Sequence, residues 1–358
     1  MVFLKAIGAN SMSKIVIWGS GAIGGTIGAR LVRAGEEILL VDTVEAHIET
    51  VNRKGLFIED DGKGFNVKVK ALLPEELKPP LDLVFLAVKA HHTLDAVKMI
   101  KSLIEKNSTV VSLQNGFNEE LIAEQIGMER TMGALVNFSA DYIAPGHILY
   151  GGEGSLILGE LNGKITERLK QISALLNKAM LTQMTDNLWG YKWSKVCYGA
   201  LLVATALVDE PVYEIVLRSK PIQEMLVALV CELLKVANAH QIKIEPFDEF
   251  LPELFWKALG GDQESLRKAM NMIANHYKSQ TKGKTGIWRD LAVKKRKTEV
   301  DVLIGGVVRK GEAIGLQCPI TQRLIQLIHE IEDGRRPMKW ENLDDLIKVH
   351  RAEVHCLR

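Results

Sequence analysis

The stretch KIVIWGSGAIG, residues 14–24, constrains the fold of this chain more than any other. A β-branched run leads without a spacer into Gly19-Ser20-Gly21-Ala22-Ile23-Gly24, and the amphipathic pattern that follows predicts a helix to about Ala34. Three glycines at this spacing do three different things. Gly19 permits a tight turn, Gly21 lets the backbone approach a pyrophosphate, and Gly24 lets helix and strand pack closely. The start of the helix then offers free N–H groups and a positive dipole end to phosphates. A glycine turn without a ligand is the bland alternative, and the strand, the helix and the next acidic residue weigh against it. That residue is Asp42, closing the run EILLVD. A carboxylate there accepts hydrogen bonds from ribose hydroxyls and repels a 2′-phosphate, so the expected cofactor is NAD or NADP with NAD preferred. The competing use of Asp42 is as a helix N-cap, and Arg53 could still reach the same region.

The surrounding pattern extends this unit into a domain. KIVIWG, EILLVD, LDLVFLAV and STVVSLQN alternate with amphipathic stretches, and their near-continuous hydrophobicity predicts parallel strands covered by helices on both faces. Residues 54–73, with the turn signal Asp60-Asp61-Gly62, read as a small antiparallel excursion, and HILYGG and SLILGE as a strand pair about a glycine-rich turn. After Thr185 the periodicity becomes helical over 187–208, 211–240, 252–277 and 290–316. The expectation is a doubly wound Rossmann-type α/β domain over 1–184 followed by an all-helical domain over 185–358, and 358 residues exceed what one core usually supports.

Composition narrows the partners. With 45 basic and 44 acidic residues the net charge is +1, so no overall field recruits nucleic acid or an anionic membrane, and a small molecule is favoured. The four cysteines, Cys197, Cys231, Cys318 and Cys356, show no CxxC spacing and no histidine cluster, which points to reduced thiols in the cytosol and no metal. The opening MVFLKAIGANS is too short and weakly apolar for a signal peptide, Met12 could equally be the natural start, and the apolar run 196–208 reads as a buried helix. The basic run Lys294 to Lys297 reads as a solvated face of a helix beside acidic residues.

Several polar residues stand where chemistry could use them. Lys195 is the only charged residue between Lys192 and Asp209 and introduces an apolar helix. Burial lowers a lysine's pKa toward neutrality, where the group can hydrogen-bond a carbonyl and protonate a developing alkoxide. A snorkelling lysine is the alternative, and Lys192 shares nearly the same face. Glu299 edges the apolar stripe Val300, Leu303, Ile304 and Val307, where its carboxylate could orient a hydroxyl or the lysine, or be merely solvated. Lys89 and Asn115-Gly116 follow strands at their C-terminal ends, where ligands of doubly wound sheets collect. Lys284, Thr285 and Arg289 could bind a carboxylate, the arginine through two parallel hydrogen bonds. Tyr198 and Trp288 could line a pocket, with buried packing as their other use. His91 and His92 have no carboxylate or cysteine at ligand spacing.

Five segments in order, GSGAIGG, LAVKA with Lys89, LQNG with Asn115, WSKVCYG with Lys195 and KTEVD with Glu299, resemble the ketopantoate reductase (2-dehydropantoate 2-reductase) family over nearly the whole chain. The resemblance implies a Rossmann domain joined to a helical domain of the 6-phosphogluconate dehydrogenase C-terminal type. It also implies a homodimer, a role in pantothenate biosynthesis, and hydride transfer from a nicotinamide to a 2-oxo acid. It assigns Lys195 as the catalytic lysine and Glu299 as the glutamate facing cofactor and substrate. Lys89 and Asn115 fall at the nicotinamide end, and Ser139 at a further cofactor contact. The family's substrate-holding asparagines one and two turns after the lysine are here Gly199 and Val203, and its carboxylate-gripping serine has no clean match beside Thr285-Gly286. A wider, more apolar pocket for a bulkier 2-oxo acid or an imine follows from these departures. A dinucleotide-sensing protein without turnover is the reading from another class.

Overall fold

The computed structural model describes residues 14–60, 62–280 and 283–356, without the side chains of 354–356. The expectations for the opening segment and Met12, for Asp61 and for the Cys356 thiol lie outside the described residues. The chain divides into two compact units between Leu188 and Trp189.

The first unit carries twelve described strands: β1 (Ile15–Trp18), β2 (Ile38–Val41), β3 (Leu56–Asp60), β4 (Lys63–Val67), β5 (Lys70–Leu72), β6 (Leu81–Leu86), β7 (Ile104–Ser112), β8 (Thr131–Val136), β9 (Ser139–Ala144), β10 (His147–Gly152), β11 (Leu156–Glu160) and β12 (Thr182–Thr185). Its helices are α1 (Ala22–Arg33), α2 (Glu45–Lys54), α3 (Thr93–Lys101), α4 (Asn118–Ile126) and α5 (Glu167–Asn177). Eight strands form the main sheet in the order β12-β11-β8-β7-β6-β1-β2-β5, parallel except where β11 meets β8. The period-2 pleat of β1 explains its burial on both sides. Ile15 and Ile17 join the core with Ile27 and Leu31 of α1 and Leu169 and Leu176 of α5. Val16 and Trp18 join the opposite core with Val97 and Ile100 of α3 and Ile122 and Ile126 of α4. This is the doubly wound arrangement expected from the strand pattern.

The excursion after Lys54 does form an antiparallel pair, β3 with β4, but it belongs to a second sheet in the order β4-β3-β10-β9. HILYGG and SLILGE are not a pair. The first is β10, bonded to β9 and β3, whereas the second is β11 in the main sheet beside β8 and β12. A strand's partner is chosen by which apolar face it must bury: Ile148 and Tyr150 pack over α1, while Leu156 and Leu158 extend the main sheet.

Beyond Trp189 the described secondary-structure elements are all helices apart from one isolated bridge, Phe247 with Phe250. The helices are α6 (Leu188–Thr205), α7 (Val212–Val216), α8 (Lys220–Ala239), α9 (Pro252–Leu259), α10 (Gln263–Ser279), α11 (Gly286–Ala292), α12 (Val300–Glu312), α13 (Pro319–Glu332) and α14 (Glu341–Cys356). Helix α8 is buried on nearly every side from Met225 to Leu234, as a helix apolar all round must be. Its one acid in that run, Glu232, accepts hydrogen bonds from the N–H groups of Ile320 and Thr321 and from the Thr321 hydroxyl, capping α13. Burial pushes that carboxyl up to about 7 in spite of those bonds.

Three of the expected long helices are broken. Residues 211–240 divide before Ser219, whose neighbour Pro221 stands in the first turn of α8. Residues 252–277 divide at Gly260-Gly261, the latter at φ +99°. Residues 290–316 divide across 293–299, where Lys295 takes φ +46°. The basic run therefore lies on a connection rather than inside a helix. It is ion-paired, with Arg296 on Asp290 at 2.8 Å and Lys297 on Asp333 at 3.0 Å.

Candidate active site

The glycine turn joins β1 to α1, and its three glycines separate into two kinds. Gly19 has φ +96°, and a Cβ there would sit 2.7 Å from the Val88 nitrogen. A Cβ on Gly24 would sit 2.1 Å from the Gly19 carbonyl oxygen. The protein's own backbone demands both. A Cβ on Gly21 would meet nothing within 4 Å, so no contact within the protein requires a glycine there. No side chain caps α1 and no acid stands in its first turn, where Ala22 and Ile23 are partly exposed, so its N–H groups and positive dipole end suit an anion. The turn is pinned by Gly19 and Ser20 donating to the Val41 carbonyl at 2.8 and 3.2 Å.

Asp42 stands half-buried just past β2. One of its oxygens accepts from the Val44 N–H at 3.2 Å, and the other lies 3.5 Å from the Ser20 hydroxyl. It is not the cap of α2, since Val44 holds that position. Arg53 is exposed in the last turn of α2, at the far end of that helix from Asp42.

Beneath the turn lies a residue that sequence reasoning missed. His47 is fully buried, with Nε2 3.1 Å from the Ser20 carbonyl and Nδ1 accepting the Gly146 N–H at 3.0 Å. Because Nδ1 is an acceptor, the proton sits on Nε2 and the ring is neutral. Burial holds its pKa below the usual histidine value, with Asp42 and the Ser20 carbonyl opposing. Its only signal in the sequence was a position on the buried side of α2 beside Ile48 and Val51.

The loops after β6 and β7 lie beside the turn, because β1, β6 and β7 are adjacent and parallel. Lys89 follows β6 and precedes a short turn of 3₁₀ helix, and Asn115 is exposed after β7 next to Gly116 at φ +79°. A hydrogen-bond network ties these loops together. Gln114 donates to the Val88 carbonyl and the Thr93 hydroxyl, Thr93 donates to Asn118, and Asn118 donates to the Asn115 carbonyl at 2.6 Å. Ser139 opens β9 just past the C-terminal end of β8, which runs parallel to β7. The first unit thus brings Gly19–Gly24, Lys89, Asn115 and Ser139 to the C-terminal ends of the central parallel strands.

In the second unit Lys195 lies on α6, partly exposed. Desolvation by burial brings its pKa down to about 8, with the Glu249 and Asp248 carboxylates raising it and Lys192 lowering it. Its Nζ stands 5.8 Å from the Phe247 ring centre. Lys192, one turn earlier, is buried outright at 2% exposure. One turn later Gly199 is partly exposed, and a Cβ there would meet open space. Two turns later Val203 is buried at 1% exposure.

The remaining residues divide similarly. Thr285 uses its hydroxyl to accept from the Trp288 N–H and cap α11. Lys284 and the Trp288 indole both donate to Asp209, at 2.6 and 2.8 Å. Arg289 is half-buried, and desolvation holds its guanidinium below the ordinary arginine value, Asp290 opposing. Glu299 is the N-cap of α12 rather than a member of its stripe, which consists of Val300, Ile304, Val307 and Val308. Tyr198 packs between Phe247 and Phe250 at 1% exposure. Among the described residues no cluster of three histidines, cysteines or acids could hold a metal, and no helix is long and apolar enough to cross a membrane.

Known proteins carry the same two-part arrangement. Residues 15–163 match the family described as Ketopantoate reductase PanE/ApbA, and residues 187–332 match its C-terminal counterpart. A 2-dehydropantoate 2-reductase of Pyrococcus abyssi is 31% identical over 321 residues, covering 88% of this chain and 96% of the relative. The ternary structure of D-mandelate dehydrogenase with NADH and anilino(oxo)acetate is similar at 26% identity and a TM-score of 0.78, covering 90% of this chain and 98% of that one. A PanE/ApbA family ketopantoate reductase from Ralstonia eutropha JMP134 follows at 25% and 0.75, covering 90% and 99%. Since both halves match in order and the likeness runs through the glycine turn and the lysine helix alike, the chain belongs to the ketopantoate reductase PanE/ApbA family.

Proposed function

We propose that this chain reduces a 2-oxo acid to the 2-hydroxy acid with NADH or NADPH, and that Lys195 is the general acid. The observation that carries the reading is a lysine whose pKa burial has lowered to about 8, partly exposed and one helical turn from the open space at Gly199. The free N–H groups of α1 and the bare Cα of Gly21 fit the diphosphate of a dinucleotide. When bound, the dinucleotide supplies the hydride to C2 of the substrate. The carbonyl π pair moves onto oxygen as that bond forms, and the oxygen takes a proton from Lys195 Nζ, which solvent later restores. Before transfer, the ammonium also polarises the carbonyl by a charge-assisted hydrogen bond. Arg289 holds the substrate carboxylate through two parallel hydrogen bonds beside Thr285, and Glu299 orients the substrate hydroxyl or the lysine. Lys89, Asn115 and Ser139 attend the nicotinamide end. Asp42 favours NADH by repelling a 2′-phosphate.

The substrate is bulkier than ketopantoate and aromatic. The space at Gly199 supports this, and so does the similarity to a D-mandelate dehydrogenase crystallised with anilino(oxo)acetate. Ketopantoate itself, and with it a place in pantothenate biosynthesis, is the narrower reading supported by the Pyrococcus abyssi relative. The same proposal includes a homodimer, testable by sedimentation velocity, and a cytosolic setting, which the free thiols of Cys197, Cys231 and Cys318 suit.

Absorbance of NADH and NADPH followed against ketopantoate, branched and aromatic 2-oxo acids tests both parts. Turnover highest with an aromatic acid, and shifted toward ketopantoate in Gly199→Asn, is the expected result. Turnover highest with ketopantoate in the unaltered chain assigns the narrower reading. Dinucleotide binding without turnover of any 2-oxo acid overturns the enzyme and leaves a sensor.

A further inference from the structure

Helix α6 does not present Lys195 to an apolar neighbour alone. Between α8 and α9 the chain makes a tight reversal in which Phe247 and Phe250 exchange both backbone hydrogen bonds, at 3.1 and 2.8 Å. Asp248 and Glu249 form its tip, with Asp248 at φ +40°, a left-handed conformation unfavourable for a residue with a Cβ. Three contacts lay this reversal across the face of α6 that holds Lys195. Ser194 donates to the Glu245 carbonyl at 2.5 Å, the Tyr198 ring lies 5.9 Å from Phe247 and 5.5 Å from Phe250, and Lys195 Nζ stands over Phe247.

Glu249 is the unusual member. Its side chain is 5% exposed, and its Oε2 lies 3.2 Å from His276 Nδ1 of α10. A carboxylate buried this deeply is costly unless its charge meets partners. The titratable groups around it are Tyr198 and Lys195 on α6 and His276 and Tyr277 on α10, and those around Lys195 are Glu249, Asp248 and Lys192.

We propose that Glu249 is a positioning residue, whose buried carboxylate at the tip of the Phe247–Phe250 reversal holds Lys195 in its charged, proton-donating form. The inference rests on the reading of Lys195 as general acid, and it assigns the reversal a purpose beyond packing. Burial alone would strip the amine of its proton near neutrality, and a neutral amine could not protonate an alkoxide. The reversal packs on the face of α6 that holds Lys195, and a carboxylate at its tip opposes that loss.

The test compares the unaltered chain with Glu249→Gln and Glu249→Asp. Competitive acetylation of Lys195 by acetic anhydride across pH, read by peptide mass, gives the amine's titration midpoint without any substrate. The alkaline limb of kcat/KM gives it again where turnover is found. In Glu249→Gln both should fall by about one pH unit, as expected when an opposite charge nearby is removed. Glu249→Asp, which keeps the charge, should stay near the unaltered midpoint. If Glu249→Gln does not fold, Glu249→Met, of similar volume and without a buried polar atom, carries the same comparison. An unchanged acetylation midpoint in the charge-free variant overturns the proposal, as does a Glu249→Asp shift as large as that of Glu249→Gln. Because acetylation needs no turnover, failure of the reductase reading would be seen separately, in the substrate panel.

Discussion

The glycine turn of the first unit and the lysine helix of the second prepare for chemistry in opposite ways. The turn works by absence: no Cβ at Gly19, Gly21 or Gly24, no cap and no acid at the start of α1. The helix works by surroundings: an amine drawn out of water, opposed by two carboxylates on a distant stretch of chain. The first is a property of a dozen consecutive residues. The second depends on elements about fifty residues apart, joined where Ser194 bonds to Glu245. The difference teaches that a glycine turn can be read locally, whereas the surroundings of a desolvated amine belong to a packed neighbourhood.

The comparison can be broken most forcefully at the amine. Lys195→Ala should lower kcat/KM roughly 100- to 10,000-fold, the usual range for a lost general acid, with dinucleotide affinity by fluorescence titration unchanged. Loss of both together would mean the two regions are not separable. The pH profile sharpens the same point. If Lys195 is the general acid as proposed, its protonated form is the active one, so kcat/KM should hold below about 8 and fall above it, about tenfold per pH unit. A flat profile from pH 7 to 10 would remove the proton-donor role.

On the turn, the two kinds of glycine should part company. Gly24→Ala should destabilise the fold by about 1–3 kcal/mol in denaturant melts, because its Cβ would meet backbone. Gly21→Ala should leave the melt unchanged yet weaken NADH binding about tenfold, since no protein atom lies within 4 Å on that side and the proposed dinucleotide would approach there. Equal effects from both would show that Gly21 serves the fold alone. The smallest effect is expected at Asp42. Its side chain is half-exposed, so Asp42→Ala should reduce the preference for NADH over NADPH by about fivefold, or ~1 kcal/mol. An unchanged ratio would detach cofactor choice from that carboxylate.

Much of the first unit was legible because its signals are backbone signals. The β1 turn, Asp42 at the end of β2, and Lys89 and Asn115 past β6 and β7 all follow from strand ends and glycines. The pairing of HILYGG was not legible, because two glycine-flanked apolar strands look alike until each finds the face it must bury. Neither was His47, whose role appears only when Gly146 is brought against it from 99 residues away. In the second unit Lys195 was legible as a lone charge before an apolar helix. The N-cap position of Glu299 and the burial of Val203 were not, because helix periodicity does not announce a break at Lys295 or which face of a wholly apolar helix stays closed.

By itself, then, the amino-acid order determined a Rossmann-type half with a dinucleotide turn, a helical half, and a lysine at the head of an apolar run. Steric permission and hydrophobic period act between near neighbours, so they survive in one dimension. Tertiary structure alone decided which strands share a sheet, which histidine braces the turn, and which carboxylates oppose the desolvation of Lys195. Burial and charge act through space, and their strength is set by whatever the fold places nearby.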